Sequence, residues 1–166
     1  SESPDLPGSK DWDSSLPRMV SWGKLYDRLR GASLVTFNTH FDHRGAEARF
    51  QSARLLRQRI GRLDPQLPVI VTGDFNCGEG SKPYQALLAV SPAASPRLID
   101  AYRRQHPDRA ANEGTFNGFR GRRDGARIDW ILTSPTLRVL DAKLVRAPDG
   151  EPSASDHDPV VVTLAP

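Results

Sequence analysis

The sequence predicts an α/β (α+β) fold, and three stretches predict it. Val69-Ile70-Val71-Thr72 is a short β-branched run that ends in Gly73-Asp74-Phe75-Asn76. That is the pattern of a buried strand delivering an acid and an amide to its C-terminal lip. Leu34-Val35-Thr36-Phe37 runs likewise into Asn38-Thr39-His40-Phe41-Asp42, and Ser155-Asp156-His157-Asp158-Pro159 precedes Val160-Val161-Val162. Ligand sites in open α/β sheets collect at the carboxyl ends of the strands. Polar tips beside apolar strands therefore predict one cluster of acid, amide and imidazole groups.

Taken in order, residues 1–17 are rich in Ser, Pro, Asp and Gly, with Trp12 as the main apolar anchor, and read as a loop or arm. Residues 18–26 offer Met19, Val20, Trp22 and Leu25 to a core as a strand. A turn containing Gly31 leads into a second strand, residues 33–40, closing a hairpin. Residues 45–63 carry Ala46, Phe50, Ala53, Leu56 and Ile60 near helical spacing, with arginines filling the opposite face. Gly61, Asp64 and Pro65 stop this helix. The strand at Val69 follows, so strand, helix and strand form a βαβ-type crossover.

Ser81 is placed as the N-cap of a short helix with Pro83 in its first turn and Tyr84, Leu87 and Leu88 as its apolar positions. Residues 91–96 break it. Residues 98–102 begin a short element whose type the pattern leaves open. Residues 103–126, rich in Arg, Gly and Asn, read as a long loop. Strands at 127–133, 137–146 and 160–164 complete the chain, with no internal repeat and no low-complexity tract.

A length of 166 residues suits one domain, 1–166, or a large piece of one. Hydrophobic residues at 37% and charged residues at 26% are ordinary for a soluble globular protein. One cysteine, Cys77, excludes an internal disulfide framework. No apolar run approaches the roughly 20 residues that cross a bilayer, and no secretory leader opens the chain. Compartment and oligomeric state leave no mark on the sequence. The net charge of +3 and pI near 9.3 fit an anionic substrate without identifying one.

The chemistry-bearing residues each admit two readings. Asp156 and His157, at a strand entrance, can place a metal ion beside a general base, or can make a turn with a solvated imidazole. Gly73-Asp74-Phe75-Asn76 can simply turn the chain. Asp129 sits inside an apolar strand and needs a partner, because burying an unpaired charge is costly. That partner is either Arg127 or His157, whose imidazolium Asp129 would stabilise and orient as in a triad. His40 ends a strand, and Asp42 with His43 adds a metal-site possibility. There is no Gly-x-Ser-x-Gly elbow and no phosphate-binding P-loop. The His-x-Asp-His run lacks the second leading His of a binuclear zinc hydrolase, and no Gly-Asn-His run follows Gly73-Asp74. Cys77 reads as a buried or half-exposed thiol rather than a nucleophile.

In combination these motifs are more specific. Asn38-Thr39-His40, a helix, Gly73-Asp74-Phe75-Asn76, Arg127-Ile128-Asp129-Trp130-Ile131 and Ser155-Asp156-His157-Asp158-Pro159-Val160 follow one another in an order that resembles the endonuclease/exonuclease/phosphatase family. That family includes type I deoxyribonuclease, abasic-site endonucleases, neutral sphingomyelinases, inositol polyphosphate 5-phosphatases and deadenylases. The likeness runs from about Arg18 to the C-terminus, and the opening residues resemble an inner segment of a bacterial subgroup. The resemblance implies part of a four-layer α/β/β/α sandwich with two mixed sheets, and hydrolysis of a phosphoester with Mg²⁺, or with Mn²⁺ in its place. It implies that Asp156 approaches the metal and that His157 contacts the scissile phosphate or acts as base, oriented by Asp129. By the same token Asp74 positions or deprotonates the attacking water, Asn76 donates to a phosphoryl oxygen, and His40 stabilises charge on the phosphate. Whether Asp74 or His157 is the base stays open. Carboxylates suit a hard cation, and oriented donors with a metal stabilise the charge that grows on the phosphate as water attacks.

The sequence also departs from that pattern. The family's opening strand with its Asn, and the Glu that is its main metal ligand, find no counterpart here. Glu47 falls on the helix, and Glu79, Glu113 and Glu151 fall in loops. The chain is therefore expected to be an N-terminally truncated domain, with missing N-terminal strands leaving an exposed edge and apolar face. A second reading follows, a non-catalytic fragment or binding module for an anionic partner. The expected partner in either case is a phosphate-containing substrate, with nucleic acid and nucleotide among the candidates. Arg103, Arg104, Arg109, Arg120, Arg122, Arg123 and Arg127, with Phe116 and Phe119, can track a nucleic-acid backbone and stack bases, bind a head group, or form a solvated loop. Asn117 stands where the bacterial subgroup has His, which removes an imidazole role there. The absence of a membrane-inserting apolar hairpin disfavours a sphingomyelinase.

Overall fold

A computed structural model of the chain describes residues 1–89, 96–148 and 151–165. Strand β1 (Val20–Asp27) turns at Gly31, where φ is +66°, into β2 (Ala32–His40), and the two pair antiparallel. Helix α1 (Ala46–Ile60) crosses over to β3 (Val69–Asp74), which pairs parallel with β2, as a βαβ crossover requires. Helix α2 (Lys82–Leu88) follows, then β4 (Ile99–Asp100), α3 (Ala101–Gln105), β5 (Asp129–Thr133), β6 (Arg138–Leu144) and β7 (Val160–Ala165). The stretch 98–102 thus splits. Asp100 ends the strand and caps α3, its Oδ1 accepting from Arg103 N. The break expected at 91–96 lies, Pro96 apart, outside the described residues.

The main sheet is mixed and five-stranded, in the order β1-β2-β3-β5-β4. Alternation along its strands sorts side chains onto two faces. Val35, Phe37, Val69, Val71, Trp130 and Leu132 point to one face and pack with Ala53, Leu56 and Ile60 of α1 and Leu87 of α2. Ile131 points to the other, where Ile99, Val139, Ala142, Leu144, Val162 and Leu164 meet it with Ala101 and Tyr102 of α3. The antiparallel pair β6–β7 is therefore a second layer of sheet behind the first. Among the described residues this gives three layers, helix, mixed sheet and a small antiparallel sheet. The second sheet of the expected sandwich is antiparallel, not mixed, over these two strands. No helix of the described residues is long and apolar enough to cross a membrane.

Two expectations need correction, and a third holds in position only. Met19, Trp22 and Leu25 of the first strand are 74%, 64% and 53% exposed rather than in a core. β1 is the sheet's edge, bonded among the described residues only to β2, and Trp22 merely lies against Phe37. On α1, Ala46 is exposed and Arg57 is buried, because its guanidinium reaches the Pro96 carbonyl at 2.7 Å. Ser81 occupies the N-cap of α2 with extended backbone but makes no capping hydrogen bond. Helix α1 is capped instead from the arm: Asp13 accepts from Ala48 N at 2.6 Å and Glu47 N at 3.1 Å, and its carboxyl is held below the usual range by those amides. Gly45 permits that approach, since a Cβ there would meet Asp13 at 2.5 Å.

Candidate active site

The site is one cross-strand row of the main sheet. Register pairs His40 of β2 with Asp74 of β3, and Asp74 with Asp129 of β5. Paired residues share a face, so three chemistry-bearing side chains stand side by side on the face away from α1. The close approach of β2 and β3 at this lip depends on Gly73, where a Cβ would lie 2.0 Å from the Thr39 carbonyl oxygen. Under the row, Phe41, Phe75, Trp130 and Tyr84 form a chain of ring contacts at 5.0, 4.4 and 4.9 Å that fixes its floor.

His157 reaches the row from the loop before β7. Its Nδ1 lies 2.8 Å from Asp129 Oδ2, and its Nε2 lies 3.8 Å from Asp74 Oδ2. Of the two partners open to Asp129, the structure brings it His157, while Arg127 turns away to Glu79 and Asp100. Asp74 Oδ2 also faces His40 Nε2 at 3.2 Å, and its Oδ1 accepts from Asn76 N at 2.8 Å. Asn76 adopts φ +50° and spends one amide hydrogen on the Phe41 carbonyl at 3.0 Å. Thr115 accepts from Ile128 N and Asp129 N, which fixes the start of β5.

Charge is imperfectly balanced in this row. Burial raises the Asp74 carboxyl above its ordinary range, and the Asp129 charge adds to the rise. The Asn76 amide and the two imidazoles oppose it without overturning it. Burial pulls His157 down, but its bond to Asp129 and the charges of Asp129, Asp74 and Asp156 outweigh burial and raise it. Asp74, Asp129 and His157 can each offer a ligand atom, all within 4.8 Å of one another. Hard carboxylate oxygens of this kind fit Mg²⁺ or Mn²⁺ in donor chemistry. Asp129 and His157, however, are largely spent on each other. Asp156 stands apart from that group. Its carbonyl accepts from Asn117 N and Gly118 N, and its half-buried carboxylate meets only Ser155 Oγ, at 3.5 Å, among the described residues.

The row opens into a cleft of about 660 Å³, lined by His40, Asp74, Asn76 and His157 and also by Leu16, Arg18, His43, Phe116, Arg122 and Ile128. Arg18 carries no signal in the strand pattern. It joins the site because the arm folds back, with its Nη2 3.0 Å from His43 Nδ1 and its Nε 3.6 Å from Asp42. Asp42 itself is structural. Its carboxylate accepts from Ser14 and Ser15 hydroxyls and from Ser15, Leu16, Arg44 and Gly45 amides, and these hold it far below the usual range against the cost of burial. The arginines singled out in the long loop divide. Arg103 and Arg127 are locked on Glu79, with Arg103 also on Glu113, Arg109 reaches Glu79 from the surface, and Arg122 lines the cleft. Asn117 is fully buried and bonds Asp158 at 2.8 Å, which pins the loop that carries His157.

The sequence profile of the endonuclease/exonuclease/phosphatase family matches residues 6–157. Among solved structures, a family member from Bacteroides thetaiotaomicron is 35% identical with TM-score 0.81, over 99% of this chain and 61% of that one. A mannosyl-6-phosphatase from the same organism is 36% identical with TM-score 0.77, over 99% of this chain and 63% of its own. A family member from Bacteroides vulgatus is 32% identical with TM-score 0.83, over 98% and 60%. The chain thus spans about three fifths of the length of these relatives. A comparison with curated proteins gives no match.

Proposed function

This chain belongs to the endonuclease/exonuclease/phosphatase family, and from that premise we propose that it carries the catalytic groups of a metal-dependent phosphoester hydrolase. The observation that supports this best is the Asp129–His157 hydrogen bond, 2.8 Å, opening onto Asp74 in the same row. Asp74, made more basic than a free carboxylate, takes the proton of the attacking water. His157, made a weaker acid than free imidazolium by Asp129, holds its proton to higher pH than a free imidazole would and delivers it to the leaving oxygen as the phosphorus–oxygen bond breaks. Asp74 then loses its proton to solvent and His157 regains one from it, since the 3.8 Å between them is beyond hydrogen-bond reach. Asp129 fixes the imidazole, and His40, Arg18 and the second amide hydrogen of Asn76 face the phosphoryl oxygens. A divalent cation, Mg²⁺ or Mn²⁺, would be held near Asp156, directly or through water, with Asp74 beside it, and would neutralise charge on the phosphate.

One relative is a mannosyl-6-phosphatase, so phosphorylated hexoses are the first substrates to try, ahead of phosphodiesters and single-stranded DNA. The native protein is assayed for phosphate release with Mg²⁺, with Mn²⁺ and with a chelator. Turnover that needs the cation and falls at least about a hundredfold in His157→Ala and in Asp74→Asn supports the reading. Their double variant is no worse than the weaker single, because the two act as a unit. No metal-dependent turnover, together with salt-sensitive binding of an anion, would move the chain to the binding-module reading.

A further inference from the structure

Phe116 occupies an unusual place for a phenylalanine. Its neighbours Thr115 and Asn117 are fully buried, yet Phe116 is 45% exposed and lines the cleft. The segment is not free to withdraw it. Phe116 bridges His157 through the main chain, Asp158 N donates to the Thr115 carbonyl at 2.8 Å, and Asn117 N donates to the Asp156 carbonyl at 2.7 Å. The ring stands nearly edge-to-face with His157, centroids 5.2 Å apart. Leu16, Ala126 and Ile128 add apolar groups to the lining, and Arg122 from the same loop is exposed, its guanidinium meeting only the exposed Asp124, at 3.4 Å, among the described residues. The acid and imidazole row of the cleft thus lies beside an apolar part of the lining that includes the Phe116 ring next to His157, with Arg18, His43 and Arg122 at other points of the wall.

Resting on the phosphoester reading, we infer that Phe116 is the platform for the leaving group. With the phosphate on the polar row, the organic half of a phosphomonoester, which is its leaving alcohol, meets the apolar part of the cleft lining and so Phe116. A ring with a flat apolar face covers that surface, whereas a short acyclic alcohol leaves it wet. Arg122 donates to oxygen acceptors on the ring. The chemical class is a small phosphoester whose leaving group is cyclic, which both sugar and nucleoside phosphates satisfy. Phe116 and Arg122 are specificity determinants of the site.

The test compares a hexose 6-phosphate, a nucleoside 5′-monophosphate and glycerol phosphate on the native protein and on Phe116→Leu, Phe116→Trp and Arg122→Ala. Leucine keeps apolar bulk beside His157 but has no ring face. The native protein should favour one ring substrate over glycerol phosphate by about tenfold in kcat/KM, mainly through KM, the scale of one aromatic contact. Phe116→Leu should lose most of that preference, Phe116→Trp should keep it, and Arg122→Ala should lose part. Whichever ring substrate is preferred identifies the ring. An equal loss on all three substrates in Phe116→Leu would show a ring that only props His157, and would overturn the inference. So would a native preference for a single-stranded oligonucleotide over every small substrate. Both outcomes leave the hydrolase reading standing. Absence of turnover on any phosphoester defeats that reading itself.

Discussion

Two groups of charged side chains flank the start of β5, two residues apart in sequence, and they are built on opposite terms. Arg127, just before the strand, is almost wholly buried and pairs with Glu79 at 2.5 Å and with Asp100, while Arg103 joins Glu79 to Glu113 and Tyr84 donates to Asp100. Burial alone would raise Glu79, but its arginines hold it low; burial and the neighbouring Asp100 push the Tyr84 phenol up. Here anions and cations are matched around a buried Arg127–Asp100 pair. Asp129, at the strand's first position, enters a row where two carboxylates meet two imidazoles at the edge of a cleft, and where both Asp74 and His157 are pushed up. The difference teaches that burial and charge alone do not mark function. A closed, matched network stabilises the fold; an open row with residual imbalance can exchange protons.

The sharpest way to break the comparison is to remove one cation from each group. His157→Ala should cost about 10²–10⁴-fold in activity with a small change in melting temperature. Arg127→Met should do the reverse. It should cost roughly 3–5 kcal/mol of stability by stranding buried carboxylates, measured by denaturant unfolding, while the folded fraction keeps its activity. A stable but inactive Arg127→Met would merge the two groups into one site.

Next comes Asp129→Asn. The native pH–rate profile should be a bell, rising as Asp74 ionises above the ordinary carboxylate range and falling as His157 loses its proton above the ordinary imidazole range. The Asp129 charge raises both groups, so its removal should move both limbs to lower pH and lower the maximum. Stability follows the same signs. The contribution from raised His157 is present below pH about 6.5 and is lost as pH rises through its folded value.

The smallest effect concerns a second aspartate at the same lip. Asp42 has six donors where Asp74 is short of them, and it is held low rather than pushed up. Asp42→Ala should cost on the order of 1–3 kcal/mol and loosen the arm with Arg18. Because its folded value is depressed, its contribution exists above pH about 3.8 and is lost as pH falls. Acid unfolding of the variant should therefore be less steep than that of the native chain.

Much of the architecture was legible because it rests on local pattern. The β-branched run at Val69 and the helical spacing of Ala53, Leu56 and Ile60 each had one sensible reading, and both elements formed. The short pieces were not legible: Ile99–Asp100 and Ala101–Gln105 are separated by a single capping carboxylate. Exposure on β1 was hidden because an edge strand with Met19, Trp22 and Leu25 looks like a central one. In the site, His40, Asp74 and His157 were named from strand tips and Asp129 from inside a strand; register sets His40, Asp74 and Asp129 side by side, and the loop before β7 carries His157 to them. Asp156 lies outside the close group, and Arg18 was invisible, since its place depends on an arm that Asp13 and Asp42 fold back onto the sheet.

The most direct test of unbalanced charge in the row needs no substrate. The four histidines, His40, His43, His106 and His157, are titrated by NMR in the native protein and in Asp129→Asn. His157 should titrate above the ordinary value of about 6.5 and fall toward or below it when Asp129 is neutralised. A His157 that titrates at or below the ordinary value, unmoved by Asp129→Asn, would contradict the account.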